Sequence, residues 1–210
     1  MAEASMQSPL YAFGLASQAD AVNDGRGVWA NEIPLLGYIS LRGNSLDPAF
    51  AEKVGAVMGV TLPVAPCSFA TALDVKVLWI SPDEWIIVCG RHRLGELLSG
   101  LRSALQGIRS QVADNSGGYT QVLLQGPNAL DVLQHASVYD FAALEQGRVI
   151  GTTFGKSSVY AHRAGDGFCL LMRRSFADYI WRYLVRASAP YGLGIAAIEA
   201  TGHAGRGVAS

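Results

Sequence analysis

The sequence predicts an α+β protein made of two ferredoxin-like (split βαβ) units packed together. Three observations carry that reading: an internal echo, the same order of strand and helix periodicities in both halves, and matching turn chemistry between them. Leu35 to Gly43 (LLGYISLRG) ends in an apolar-polar alternation and a glycine. Tyr119 to Gly126 (YTQVLLQG) does the same, with Gly126 lying 83 residues after Gly43. Alternation of this kind marks a half-buried strand.

After each glycine a proline is placed to open a helix, where its missing N–H costs nothing. Asp47-Pro48 precedes Phe50, Val54, Val57 and Met58, and Gly126-Pro127 precedes Leu130 and Leu133. A hairpin follows each helix. Val75 to Ile80 and Trp85 to Cys89 flank the loop Ser81-Pro82-Asp83-Glu84. Ser158 to His162 and Phe168 to Met172 flank Ala164-Gly165-Asp166-Gly167, whose glycines supply the positive φ values of a tight turn. An amphipathic helix comes next: Leu94, Leu97, Leu98, Leu101 and Leu105 share one face. In the second half Phe176, Tyr179, Ile180, Tyr183 and Leu184 form the corresponding face, behind Ser175 and Asp178 at capping-box spacing. Gln111 to Ala113 and Leu193 to Ile198 close each unit as a last strand. The units are therefore placed at 35–115 and 116–199, after an N-terminal extended segment (1–34) and before a flexible tail (200–210), forming one compact domain. Gln18 to Arg26 reads as surface loop.

Composition bounds the function. Sixteen Lys+Arg against 17 Asp+Glu give a net charge of −1, which argues against a nucleic-acid binder, since that needs a basic face to displace counterions. Charged residues are only 16% and apolar residues 50% of the chain, so an apolar surface directed at partner proteins is expected. No apolar run approaches the roughly 20 residues of a membrane span, and no basic-then-apolar start resembles a signal peptide, so a cytoplasmic protein is expected. Cys67, Cys89 and Cys169 have neither C-x-x-C spacing nor a neighbouring histidine pair, and read as small buried hydrophobes.

Several motifs invite a catalytic reading and fail it. Asp83 and Glu84 stand between Trp79 and Trp85 in VLWISPDEWIIV. Adjacent side chains on a strand or tight turn point to different sides and cannot converge as an acid-base pair, so Asp83 is a turn residue. Gly155-Lys156-Ser157 lacks the earlier glycine of a phosphate loop, because position 150 is Ile, and it enters a hairpin rather than a helix. Asp114-Asn115-Ser116-Gly117-Gly118 has no nucleophile elbow around Ser116, and its residues are those of a turn. His92 and His162 are flanked by arginines and are expected at hairpin ends on the surface. One basic feature remains: Arg91 and Arg93 in one half and Arg173 and Arg174 in the other sit just before the second helix of each unit, where positive charge opposes the helix dipole. These four, with Trp79 and Trp85 as possible anchors, form the candidate interface with other chains. The candidate catalytic, cofactor-binding and metal sets are empty.

LWISPDEWIIV (78 to 88), DNSGGYTQVLLQGPNALDVL (114 to 133) and RRSFADYIWRYL (173 to 184), with Ser8-Pro9-Leu10 near the start, resemble the gamma subunits of heterotetrameric sarcosine oxidase. That family is similar in turn to the folate-binding aminomethyltransferases. The resemblance implies an aminomethyltransferase-like fold and a subunit without an active site of its own, in a complex with alpha, beta and delta subunits. Such a complex oxidises sarcosine to glycine, forms hydrogen peroxide and passes the one-carbon unit to tetrahydrofolate. It implies that FAD, FMN, NAD, zinc and tetrahydrofolate are held by the partner subunits, with the large alpha subunit in direct contact. Aminomethyltransferases carry paired aspartates where this chain has Ser157 and Ser158, and no acid occurs between Glu145 and Asp166. The folate chemistry is therefore not carried over. The alternative left open is a free-standing folate- or small-ligand-binding protein of the same fold.

Overall fold

The computed structural model describes residues 6–23 and 25–198. In chain order the elements are α1 (Leu15–Gln18), β1 (Val28–Ile33), β2 (Gly37–Gly43), α2 (Pro48–Met58), β3 (Phe69–Ala72), β4 (Val75–Ser81), β5 (Glu84–Cys89), α3 (Leu94–Ala104), β6 (Ser110–Asp114), β7 (Tyr119–Gln125), α4 (Ala129–Ala136), β8 (Val149–Phe154), β9 (Ser157–Ala164), β10 (Gly167–Arg173), α5 (Ala177–Ser188) and β11 (Leu193–Ile195). They fall into two compact units: Leu36–Tyr119 with Gly147–Val149, and Met1–Leu35 with Thr120–Gln146 and Ile150–Ser210. The expected tail, 200–210, lies outside the described residues.

The unit holding β2 to β6 has a five-stranded sheet in the order β3-β4-β5-β2-β6. Without β3 this is the strand order of a ferredoxin-like unit, with β2-α2-β4-β5-α3-β6 as its split βαβ repeat. Local chemistry sets the first helix. Pro48 opens α2, the Asp47 carboxylate accepts the Ala49 N–H at 3.0 Å, and Gly59 ends it at φ +69°. Gly43 matters for a different reason, close approach: a Cβ there would lie 2.3 Å from the Phe50 ring. Phe50 is fully buried against Trp85, ring centroids 5.8 Å apart. Around that pair Val54, Met58, Ile39, Leu41, Ile87, Leu97 and Leu101 form the core. The leucine periodicity of α3 holds, with Leu94, Leu97, Leu101 and Leu105 buried.

The other unit has a six-stranded sheet, β11-β1-β7-β10-β9-β8. Here β7-α4-β9-β10-α5-β11 is the repeat, and β1 is inserted between its first and last strands, antiparallel to β7 and parallel to β11. Thus β1, from the segment read as extended, is an interior strand with every residue buried. β8 extends the far edge, as β3 does in the first unit, and neither strand was legible as a repeat element. The loop expected at Gln18 to Arg26 is tied in by a bridge from Asp20 to Ala196, by the Trp29 indole N–H donating to the Asn23 carbonyl at 3.0 Å and by Arg26 donating to the Leu193 carbonyl at 2.8 Å.

Two details of the second repeat differ from the sequence expectation. Gly126 turns at φ +104°, where a Cβ would lie 2.7 Å from the Gly27 carbonyl oxygen, and α4 begins only at Ala129, so Pro127 precedes the N-cap Asn128 instead of opening the helix. Ser175 does not cap α5: it lies in a 3-10 turn (Arg174–Phe176), and Asp178 pairs with Arg182 at 2.9 Å. The buried face of α5 is Ala177, Ile180, Trp181, Leu184 and Ala187, so Phe176 and Tyr179 face outward.

Candidate functional site

The hairpin loop that opened the catalytic question is a closed turn. Asp83 accepts a hydrogen bond from the Ser81 hydroxyl at 3.0 Å and from the Arg42 guanidinium at 3.0 Å. The Ser81 hydroxyl, with the Arg42 charge behind it, holds this exposed carboxyl below the usual range. Glu84 lies opposite Arg42 in the β2–β5 ladder. Trp79 and Trp85 are direct cross-strand partners, as the hairpin requires. Trp85 is fully buried and its indole N–H donates to the Pro63 carbonyl at 2.7 Å. It therefore anchors its own unit and presents no surface, whereas Trp79 is half-buried.

Ser116 is likewise a turn latch. Its hydroxyl donates to Asp114 at 2.6 Å and accepts the Tyr38 N–H at 3.0 Å. Partial burial would raise the Asp114 carboxyl, and the two hydrogen bonds from Ser116 outweigh that and hold it low. Both groups are thus bound into the β6–β7 turn. Gly155 and Lys156 form the β8–β9 turn, Gly155 at φ +60°, and no helix starts there.

The histidines divide. His92 is exposed and 3.5 Å from Asp74, as expected. His162 is not at the surface: β9 continues to Ala164, so His162 sits inside the strand, directly opposite Cys169, and is 1% exposed. Cys169 donates to the Gln121 side-chain oxygen at 2.7 Å, and His162 Nδ1 lies 2.7 Å from the Arg163 carbonyl. Arginines flanking a residue in sequence do not keep it in solvent when strand alternation turns it to the other face. In the same sheet, on β1, Glu32 is buried and accepts the Thr120 hydroxyl at 2.6 Å. No group of three or more potential metal ligands occurs among the described residues.

The basic pairs do occupy equivalent places. Arg91 and Arg93 lie in a 3-10 turn leading into α3, and Arg173 and Arg174 end β10 and begin the 3-10 turn leading into α5. Their surroundings differ. Arg93 is engaged within its unit by Asp74 at 2.9 Å and Glu96 at 3.5 Å. Arg174 donates to the Gln7 carbonyl at 2.9 Å, tying the N-terminal segment to the start of α5. Two exposed aromatics stand beside it, Phe176 (48%) and Tyr179 (36%). Sequence reasoning placed both on the core face; the signal it passed over was Trp181, which with Ala177, Ile180 and Leu184 completes the buried stripe.

The two split βαβ repeats, each in its own sheet, define an aminomethyltransferase-like fold. Comparison agrees with the fold. The structure superposes on aminomethyltransferase T of the glycine cleavage system from Bartonella henselae with a TM-score of 0.67 at 15% identity, covering 90% of this chain and 60% of that one. The aminomethyltransferase of Rubrobacter xylanophilus is 24% identical over 203 residues, 91% of this chain but only 54% of that protein, so the chain spans about half of such enzymes. The sarcosine oxidase gamma subunit of Corynebacterium sp. strain U-96 is 29% identical over 189 residues, 88% of this chain and 91% of that protein. A chain of the heterotetrameric sarcosine oxidase of the same bacterium superposes with a TM-score of 0.79 at 26% identity, covering 88% of this chain and 95% of that one. Residues 42–190 match the sarcosine oxidase, gamma subunit family, and the chain belongs to that family.

Proposed function

We propose that this chain is the gamma subunit of a heterotetrameric, cytoplasmic sarcosine oxidase and contributes to it as a structural partner, with no active site of its own. The observation that supports this best is the end-to-end likeness to the Corynebacterium gamma subunit, 88% of one chain against 91% of the other. No described helix is long and apolar enough to cross a membrane. The complex oxidises sarcosine to glycine with oxygen as acceptor, releases hydrogen peroxide and delivers the one-carbon unit to tetrahydrofolate. FAD, FMN, NAD, zinc and tetrahydrofolate belong in this reading to the alpha, beta and delta subunits, with alpha in direct contact. The residues here do not suit a folate: where aminomethyltransferases hold acids, β9 offers a buried Ser157 and an exposed Ser158, neither of which supplies a fixed negative charge.

The second reading, a free-standing folate-binding protein, draws on the aminomethyltransferase likeness alone. Purification separates the two. The assembled complex should consume oxygen with sarcosine and carry flavin absorbance, while the isolated chain should do neither. Micromolar folate binding by the chain alone would favour the second reading.

A further inference from the structure

We propose that the exposed aromatic and cationic face that runs along α5 from the turn leading into it docks onto a carboxylate-bearing apolar patch of another subunit of the oxidase. The inference rests on the gamma-subunit reading and names the surface that reading needs. Phe176 and Tyr179 are one helical turn apart and expose 48% and 36% of their surface. Tyr179 is held in place: its hydroxyl accepts the Lys156 N–H at 3.0 Å and its ring lies 6.2 Å from that of Tyr183. The N-terminal segment continues the patch, because Arg174 fixes Gln7 and Phe13 packs on Trp181 at 6.2 Å beneath the Arg182 guanidinium at 5.2 Å. Tyr11 of that segment is 64% exposed. Exposed aromatic rings gathered on one face, instead of scattered singly, mark a surface that another chain covers.

Charge identifies the chemistry of that surface. From Arg174 to Ser188 there are three arginines, 174, 182 and 186, and one acid, Asp178, which Arg182 already holds at 2.9 Å. This positive face stands on a chain of net charge −1. Pre-placed arginine beside tyrosine and phenylalanine is the composition of a binding hot spot, and its complement is a protein patch with carboxylates among apolar groups. The arginines before α3 lack this setting, since Arg93 is engaged by Asp74 and Glu96.

The test uses the tagged chain co-expressed with the other subunits. Arg173→Glu combined with Phe176→Ser should weaken recruitment of the partner by ~100-fold or more, and Ser suits an N-cap position, so α5 keeps its start. Arg186→Glu, exposed on the last turn, should weaken it by ~10-fold, and rising salt should weaken the parent complex too. Leu73→Ser and Val138→Ser, at 95% and 93% exposed apolar positions elsewhere, should change nothing. Melting of each purified variant checks its fold; where the double variant melts early, Arg186→Glu decides. Full recruitment by a folded variant, or co-purifying material removed by nuclease, overturns the inference. A parent chain that recruits no oxidase subunit overturns the gamma-subunit reading and the docking face together.

Discussion

Replacing Gly43 by Ala isolates one close approach between a strand and a helix in the five-stranded unit. The added methyl would sit 2.3, 2.4 and 2.9 Å from three carbons of the Phe50 ring, well inside van der Waals contact. The ring cannot swing clear, because it is fully buried with Trp85 at 5.8 Å on one side. The substitution is therefore overpacking, which costs about 1–3 kcal/mol, and it should lower the melting temperature by ~2–4 °C per kcal/mol for a chain of this size. Phe50→Leu alone should cost up to ~1.5 kcal/mol by leaving space beside Trp85. Combined, the two should cost less than their sum by ~1 kcal/mol or more, since the leucine makes room for the methyl. Chemical denaturation of the four proteins gives the coupling directly. Additivity within ~0.5 kcal/mol would show that the glycine is not there for the phenylalanine.

Thr120→Val leaves the buried Glu32 carboxylate without its 2.6 Å donor and should destabilise by ~1.5–3 kcal/mol, read by urea unfolding. Asp83→Asn with Glu84→Gln should leave sarcosine-dependent oxygen uptake by the complex unchanged, while a loss beyond tenfold would restore the loop as a reaction centre. Burial pushes the Cys89 thiol up to about 11 from its ordinary 9.0, so its unfolded form ionises first. Stability from this group is full below pH 9 and is lost as pH rises through about 11; Cys89→Ala should flatten the alkaline limb of the melting curve, and an unchanged limb would refute the assignment. In the native chain half-buried Cys67 should react with iodoacetamide before buried Cys89 and Cys169.

The repeat was legible because both copies carry the same local chemistry. Pro48 behind Asp47, the hairpin turns and the leucines on one face of α3 act within a few residues and produced the expected elements, whereas Pro127 stands before the N-cap of α4 and does not open it. What escaped was set by the tertiary fold. Nothing local distinguishes β1, whose strand VWANEI carries Asn31 and Glu32, and it is placed only by distant pairing with β7 and β11. His162 shows the same limit: its neighbour Arg163 suggested solvent, and the register against Cys169 decided otherwise. The interface candidates divided for a similar reason, since the exposure of a tryptophan or arginine depends on residues far away, such as Pro63 for Trp85 and Asp74 for Arg93. Resemblance, in contrast, pointed to the family without requiring any of these placements.

Native mass measurement of the particle purified through this chain tests the central claim most directly. The particle should hold one copy of the chain with three different subunits, a flavin-bearing mass and sarcosine-dependent peroxide formation. A lone polypeptide that turns over sarcosine, or that carries a flavin or folate with no companion, would contradict it.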